Sequence, residues 1–172
     1  AYDGVPFATM LRAADFDGDG KLDLLVFSRG SEHVVLLGGG DGTFHRAGAP
    51  SALPHVNATT LAIAVGDFDG DGKVEVAFGQ REQQGEWIGT LLGNGDGTFR
   101  GGATMLLECP SWVASIAVTD LDGDGKTDSA GGSQRGSVVM TFFNHGDGSF
   151  REGDAYSVYW NQRGIGAVDF DG

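Results

Sequence analysis

Short apolar runs punctuated by glycine- and aspartate-rich stretches recur along the whole chain. In the clearest stretch, Leu61-Ala62-Ile63-Ala64-Val65 leads into an acidic loop and Val74-Glu75-Val76-Ala77-Phe78 leads out of it. Runs this short, alternating or rich in β-branched residues and bounded by turn formers, predict strands and not helices. A third run, Trp87 to Leu92, meets GNGDG, where Asp96-Gly97 favours a hairpin turn, and a fourth strand starts at Thr98-Phe99. Four strands in a unit of about fifty residues predict one blade of a β-propeller. The small residues of the lead-in strands, Ala13-Ala14, Ala62, Ala64 and Ala117, suit a crowded innermost strand where several blades approach one axis.

The unit repeats. DFDGDGKLD (Asp15 to Asp23) returns as DFDGDGKVE (Asp67 to Glu75) and DLDGDGKTD (Asp120 to Asp128), and begins again at Asp169-Phe170-Asp171-Gly172, at intervals of 52, 53 and 49 residues. A second motif keeps step with it: LLGGGDGTF (Leu36 to Phe44), LLGNGDGTF (Leu91 to Phe99) and FFNHGDGSF (Phe142 to Phe150). The expected fold is therefore all-β, with four antiparallel strands per blade. The units run over residues 8–58, 59–111 and 112–162, with a partial one at 163–172 that points to a segment of a longer chain.

Carboxylates at loop positions 1, 3 and 5 fall on alternate residues, and glycines at positions 4 and 6 let the backbone curl until those side chains converge. Converging carboxylates repel unless a cation lies between them. An all-oxygen set without His or Cys suits a hard ion of variable coordination, calcium before magnesium. The carbonyl at position 7 (Lys21, Lys73, Lys126) and the acid at position 9 (Asp23, Glu75, Asp128) would complete the shell, with the lysine side chains turned to solvent. An EF-hand is excluded, because its Glu at position 12 is replaced by Val26, Phe78 and Gly131 and strands follow each loop. Asp41, Asp96 and Asp147 of the second motif stand alone among glycines and Thr or Ser, which makes them turn residues.

Composition narrows the function. The net charge of −13 mostly counts loop acids, since 14 of the 24 Asp and Glu lie in the four loops. Basic residues are few and scattered, which excludes nucleic acid as a partner. Glycine, at 31 of 172 residues, is more than twice its usual share and implies many tight turns. The single Cys109 excludes an internal disulfide framework, and no apolar run is long enough for a membrane span. His33, His45, His55 and His145 occupy different registers of the repeat, with no nucleophile elbow nearby, so each is expected at the surface or in a hairpin and no enzyme is expected. Loops of this kind fill at extracellular calcium levels, which places the protein outside cells, and Asn57-Ala58-Thr59 is a glycosylation sequon.

The DxDGDGxxD loops together with the LLGNGDGTF endings resemble the FG-GAP/VCBS repeats of integrin-alpha-type β-propellers over almost the whole chain. That resemblance implies a propeller of about seven blades, of which this chain holds three and a fraction, and one Ca²⁺ for each complete loop. Carried over by position, the ligands are Asp15, Asp17, Asp19, Lys21 and Asp23; then Asp67, Asp69, Asp71, Lys73 and Glu75; then Asp120, Asp122, Asp124, Lys126 and Asp128. Asp169 and Asp171 open a fourth loop. Glu75 departs from the usual Asp, and its extra methylene must shift either the carboxylate or the loop.

Such repeats serve adhesion proteins, lectins, shells and appendages of secreted enzymes. Recognition of a glycan or a protein is expected on the face opposite the calcium loops, where Phe7, Trp112 and Trp160 lie eight, eight and nine residues before Asp15, Asp120 and Asp169. Their rings either stack on a sugar, beside Asn, Gln, Arg and Ser, or plug the gap between adjacent blades. The competing expectation is a structural role, with open blade edges pairing copies of the chain into a fibre or shell.

Overall fold

The structure is a computed structural model and describes residues 7–28, 30–49, 51–55, 57–83, 85–107, 113–133, 137–158 and 164–168. The described residues hold thirteen strands and three antiparallel sheets. The first comprises β1 (Ala8–Ala14), β2 (Asp23–Ser28), β3 (Glu32–Gly38), β4 (Phe44–Arg46) and β5 (Ser51–Ala52). The second comprises β6 (Thr59–Gly66), β7 (Glu75–Glu82), β8 (Gly85–Gly93) and β9 (Phe99–Leu106). The third comprises β10 (Val113–Thr119), β11 (Asp128–Ser133), β12 (Val138–Asn144) and β13 (Phe150–Ser157). Apart from β5, which pairs with β3, neighbouring strands within each sheet are consecutive in sequence, so every sheet is a meander.

The first sheet departs from four regular strands. Its outer strand is broken: β4 and β5 both pair with β3, Leu36 opposite Arg46 and Glu32 opposite Ala52. Between them the sequence runs Ala47-Gly48-Ala49-Pro50, where the Ala47 N–H still reaches the Val35 carbonyl at 3.0 Å before the ladder stops, and a proline has no N–H to donate to a ladder. Glycine and alanine offer little side chain to hold a strand on its neighbour.

The acidic loops join β1 to β2, β6 to β7 and β10 to β11, and the GDG hairpins join β3 to β4, β8 to β9 and β12 to β13. Because successive strands run antiparallel, both kinds of turn lie on one rim. The lead-in strands β1, β6 and β10 lie next to one another, as innermost strands do when blades gather around an axis. Each carries an irregularity in register at the same place, between Ala8 and Met10, between Thr60 and Ala62, and between Val113 and Ser115. Such bulges add local twist.

The hydrophobic core lies between the sheets. Phe27 and Leu25 of β2, Phe16 of the first loop, and Ile63, Val76 and Phe78 of the second sheet form one cluster. Ala62, Ala64 and Ile88 of the second sheet pack on Val113, Ile116, Met140 and Phe142 of the third to form another. The middle sheet is covered on both faces, and the first six residues of β7 are all buried, whereas β2 alternates. The third sheet achieves the same coverage with small residues: a Cβ on Gly131 would come within 2.9 Å of Val113 Cγ1. Burying an aromatic such as Phe68, which is 1% exposed, contributes about 3 kcal/mol.

His33 differs from its sequence-based placement at the surface or in a hairpin. It is 3% exposed, within β3, stacked on Phe27 at 5.1 Å and edge-on to Phe99 of the next sheet at 5.8 Å. Strand alternation turns it into the gap between the first two sheets, a destination that periodicity did not separate from the outer face. Burial pushes its pKa from 6.5 down to about 4, only partly opposed by the Ser31 backbone. The unfolded chain therefore takes up a proton below pH 6.5 that the folded chain refuses until about pH 4, so stability present above pH 6.5 is lost as the pH falls. We expect the urea midpoint to report a loss of about 2 to 3 kcal/mol from this group between pH 7 and pH 4.5. His33→Leu, measured alongside in EDTA, should lack that component; equal pH dependence in both proteins would refute the assignment.

Candidate metal centres

Each acidic loop is first a backbone structure. The carboxylate at position 1 accepts N–H groups from positions 4 and 6: Asp15 from Gly18 (2.7 Å) and Gly20 (2.8 Å), Asp67 from Gly70 (2.7 Å) and Gly72 (3.0 Å), Asp120 from Gly123 (2.7 Å) and Gly125 (2.9 Å). Both glycines have φ near +80°, the left-handed region that curls the chain around the first aspartate. Position 3 accepts the N–H of position 5, at 3.1 to 3.2 Å, and position 5 accepts that of position 7 at 2.9 Å, in all three loops. The loops are thus three copies of one conformation.

The consequence is convergence. One oxygen from each of Asp15, Asp17 and Asp19 lies within 4.8 Å of the others, as does one from each of Asp67, Asp69 and Asp71; in the third loop the converging set is Asp120, Asp122 and Asp128. Hard, all-oxygen donor sets brought together by a preformed loop fit an ion such as Ca²⁺. Asp15, Asp17, Asp67 and Asp69 are half-buried, whereas Asp120 and Asp122 are exposed, so the third set is the more open.

Position 9 faces inward. Asp23, Glu75 and Asp128 are at most 1% exposed, and each spans two backbone N–H groups, one from loop position 2 and one from the end of the third strand. Asp23 takes Phe16 and Gly38, both at 2.8 Å, and Asp128 takes Leu121 at 2.9 Å and Asn144 at 2.8 Å. Glu75 makes the same clip with Phe68 at 2.7 Å and Gly93 at 3.3 Å, so its extra methylene is absorbed in a longer bond to Gly93. Burial pushes the Glu75 carboxyl above the usual carboxylate range, against the pull of those two N–H groups.

The lysines at position 7 differ from expectation. Instead of turning to solvent, Lys21, Lys73 and Lys126 fold back so that each ammonium pairs with the position 5 carboxylate, Asp19, Asp71 and Asp124. Their stems lie over the hairpin glycines Gly40, Gly95 and Gly146, where a Cβ would approach the lysine Cδ to 2.8 or 2.9 Å. The reason is electrostatic: the ammonium is the nearest positive group to clustered negative ones. The hydrogen bonds from the lysine, side chain first and then backbone, hold Asp19, Asp71 and Asp124 below the usual carboxylate range. The three lysine side chains keep 40 to 43% of their surface exposed while making these pairs.

Three further features escaped the sequence reading. The apolar residue at loop position 2 builds the seam between sheets. Phe16 meets Phe99 edge-on at 5.8 Å and Phe68 meets Phe150 at 5.7 Å, while their carbonyls accept N–H groups of Gly97 (3.0 Å) and Gly148 (3.1 Å) from the next hairpin. The signal was present, since every loop carries one apolar residue between its first two acids. Second, Arg100 and Arg151 reach back to the loops, to Asp69 at 3.4 Å and Asp122 at 3.9 Å. Third, on the opposite rim, His55 stacks on Trp87 at 4.3 Å and its Nδ1 meets Glu82 at 2.7 Å.

Asp41, Asp96 and Asp147 each accept the backbone N–H of the residue two further on at 2.9 Å and its hydroxyl at 2.5 Å, the geometry of turn residues. Phe7 is 83% exposed among the described residues, with φ of 60°. Trp112, Trp160, Asp169, Asp171 and Cys109 lie outside the described residues. No helix among the described residues is long and apolar enough to cross a membrane.

Comparison with known proteins agrees with this architecture. The FG-GAP-like repeat family matches residues 15–78, a stretch that includes the first two acidic loops. The chain is 30% identical over 145 residues to cartilage acidic protein 1 of Homo sapiens, covering 77% of the chain and 22% of that protein. It is 26% identical over 102 residues to cartilage acidic protein 1 of Xenopus tropicalis, covering 59% of the chain and 16% of that protein. The chain thus spans about a fifth of the length of these relatives. Among solved structures, BBS1N in complex with ARL6DN aligns with a TM-score of 0.55 at 12% identity, over 96% of this chain and 60% of that one, a likeness of fold alone. Residues 15–78 are FG-GAP-like repeat sequence, and the chain that carries them is an all-β protein of four-stranded, β-propeller-like blades.

Proposed function

We propose that this chain is a calcium-binding β-propeller segment of an extracellular protein, used for adhesion or for recognition of a glycan or protein, with the ion serving stability and no catalytic centre of its own. The observation that carries the reading is the convergence of three carboxylate oxygens within 4.8 Å in each of three loops of the same conformation. Each loop joins the two inner strands of its blade and abuts the seam to the next, so an ion there tightens both. The lysine carbonyls at position 7 and the buried acids at position 9 complete the proposed ligand sets, and Asp169 and Asp171 begin a fourth. The relatives named above and the FG-GAP-like repeat favour an extracellular setting and give no support to an enzyme.

The recognition surface is proposed on the rim opposite the loops, where Trp112, Trp160 and the exposed Phe7 fall in nearly equal register and where His55 and Trp87 are stacked. A second reading is end-to-end association of copies, which would cover two faces left open among the described residues, faces that further blades of a longer chain would cover equally. Leu121, the seam residue of the third sheet, is 38% exposed where its counterparts Phe16 and Phe68 are buried. At the other end, a Cβ on Gly42 would meet no atom within 4 Å, where one on Gly97 or Gly148 would meet the preceding blade.

At a hundredfold excess over Kd, each occupied loop adds about 2.7 kcal/mol of stability. Melting in millimolar CaCl₂ is therefore expected at least about 10 °C above melting in excess EDTA; superimposable curves would refute the calcium reading. Trp112→Ala and Trp160→Ala are expected to abolish binding on a glycan panel while leaving the melting temperature unchanged, and retained binding by both removes these rings from the site. For end-to-end association, sedimentation velocity is expected to show concentration-dependent growth that Leu121→Asp abolishes; a monomer at every concentration would sink it.

A further inference from the structure

The outer strand of each blade begins with the same two positions, an aromatic followed by a basic or imidazole side chain: Phe44-His45, Phe99-Arg100 and Phe150-Arg151. Register places the second of these opposite Leu37, Leu92 and Phe143 respectively, so the three residues are structurally equivalent. Each arginine is held by its own blade and aimed at its own loop. Arg100 donates from Nη1 to the Gly93 carbonyl at 2.9 Å and turns Nη2 to Asp69 Oδ2 at 3.4 Å. Arg151 lies with its guanidinium carbon 4.2 Å from the centroid of the Phe143 ring and its Nη2 3.9 Å from Asp122 Oδ2. Both target acids are loop position 3. In the first loop the equivalent partner of Asp17 would be His45, and among the described residues no ion pair joins them.

We propose that Arg100 and Arg151 are built-in competitors for the cation at the second and third loops, so that the loops load with calcium in graded order, the first ahead of the third. The inference rests on the reading that these loops hold calcium. A guanidinium is always charged and repels an arriving divalent ion; Arg100 also hydrogen-bonds Asp69, whereas Arg151, at 3.9 Å, acts on the third loop through its charge alone. Unlike the lysine at position 7, which every loop shares and which therefore cannot discriminate, the arginine is present in two loops and replaced in the other. The first and third loops both carry Asp at position 9, while Glu75 adds its own perturbation to the second. The third is also the more exposed, so the Arg151 variants, which leave the loop acids unchanged, separate the guanidinium from that exposure. A unit charge facing a divalent ion across roughly 7 Å of water-like dielectric, partly screened by salt, shifts affinity by about two- to tenfold.

The test is a CaCl₂ titration of ¹⁵N-labelled protein at pH 7.5, with the amides of Gly20, Gly72 and Gly125 reporting the three loops separately. In the parent, Gly20 is expected to saturate at lower calcium than Gly125. Arg100→Gln should lower the Gly72 midpoint and Arg151→Gln the Gly125 midpoint, each by about two- to tenfold. His45→Arg should raise the Gly20 midpoint, while Arg100→Lys and Arg151→Lys, which keep the charge, should move their loops less than the glutamine variants do. If the loops load with calcium but the glutamine variants leave their midpoints unchanged, or the lysine variants move them equally, the competition is overturned and the calcium reading stands. If no loop amide responds in the parent or any variant, the calcium reading falls and takes the competition with it.

Discussion

A carboxylate withdrawn from water needs partners for its charge, and Asp23, Glu75 and Asp128 each find two backbone N–H groups that would otherwise be buried without acceptors. One comes from the start of the acidic loop and the other from the end of the third strand. A single side chain therefore fixes where the loop begins, where the second strand begins and where the hairpin beyond the third strand begins. Removing such an acceptor strands two donors, a cost of about 1 to 3 kcal/mol each. The converging aspartates, at positions 1, 3 and 5 in the first two loops and at 1, 3 and 9 in the third, are placed by a loop whose two ends this clip has already tied.

The clip also explains how the blades join. By drawing the position 2 amide inward, it turns the position 2 side chain toward the neighbouring sheet, where Phe16 and Phe68 become buried and meet Phe99 and Phe150. The same residue offers its carbonyl to the next hairpin, and Asn144 adds a second bond to the Phe68 carbonyl at 2.7 Å. Thr90, fully buried, donates to the Gly148 carbonyl at 2.7 Å across the same boundary. Metal loop and inter-blade seam thus share their backbone, and whatever stiffens one stiffens the other.

Much of this was legible in the residues because it is local. The spacing of DxDGDGxxD and the GDG hairpins fixes backbone conformation within nine residues, and alternation around them marks the strands of the second unit to within a residue or two, except that β7 runs four residues past Phe78 to Glu82. What the sequence hid depends on partners far along the chain. Nothing local distinguishes a His33 facing the gap between sheets from one facing water, since both satisfy a period of two. The breaking of the first blade's outer strand into β4 and β5 follows from weak side chains at Ala47 to Ala49 together with Pro50, whereas Gly101-Gly102, with no proline before Leu106, leave β9 continuous. There the strand pairs along β8 from Gly93 to Trp87 and takes up a shift in register between Leu91 and Gly89.

The repeats differ in one residue at the start of the outer strand, His45, Arg100 or Arg151, and that is where the electrostatics of otherwise superposable sites are set. Three loops with the same aspartates, the same glycines and the same lysine present an incoming cation with nearly the same donors. Their surroundings are unequal: Asp69 is half-buried beside Arg100, Asp122 is exposed beside Arg151, and Asp17 is half-buried opposite His45. Burial strengthens a carboxylate's interaction with any charge, while a neighbouring guanidinium offsets it, so the two effects oppose each other in the second loop. In the third, exposure and the guanidinium act in the same direction, and among the described residues no following hairpin covers Leu121 as those of Phe99 and Phe150 cover Phe16 and Phe68. The third blade is therefore the one whose loop gains most from a neighbour that would shield Leu121 from water.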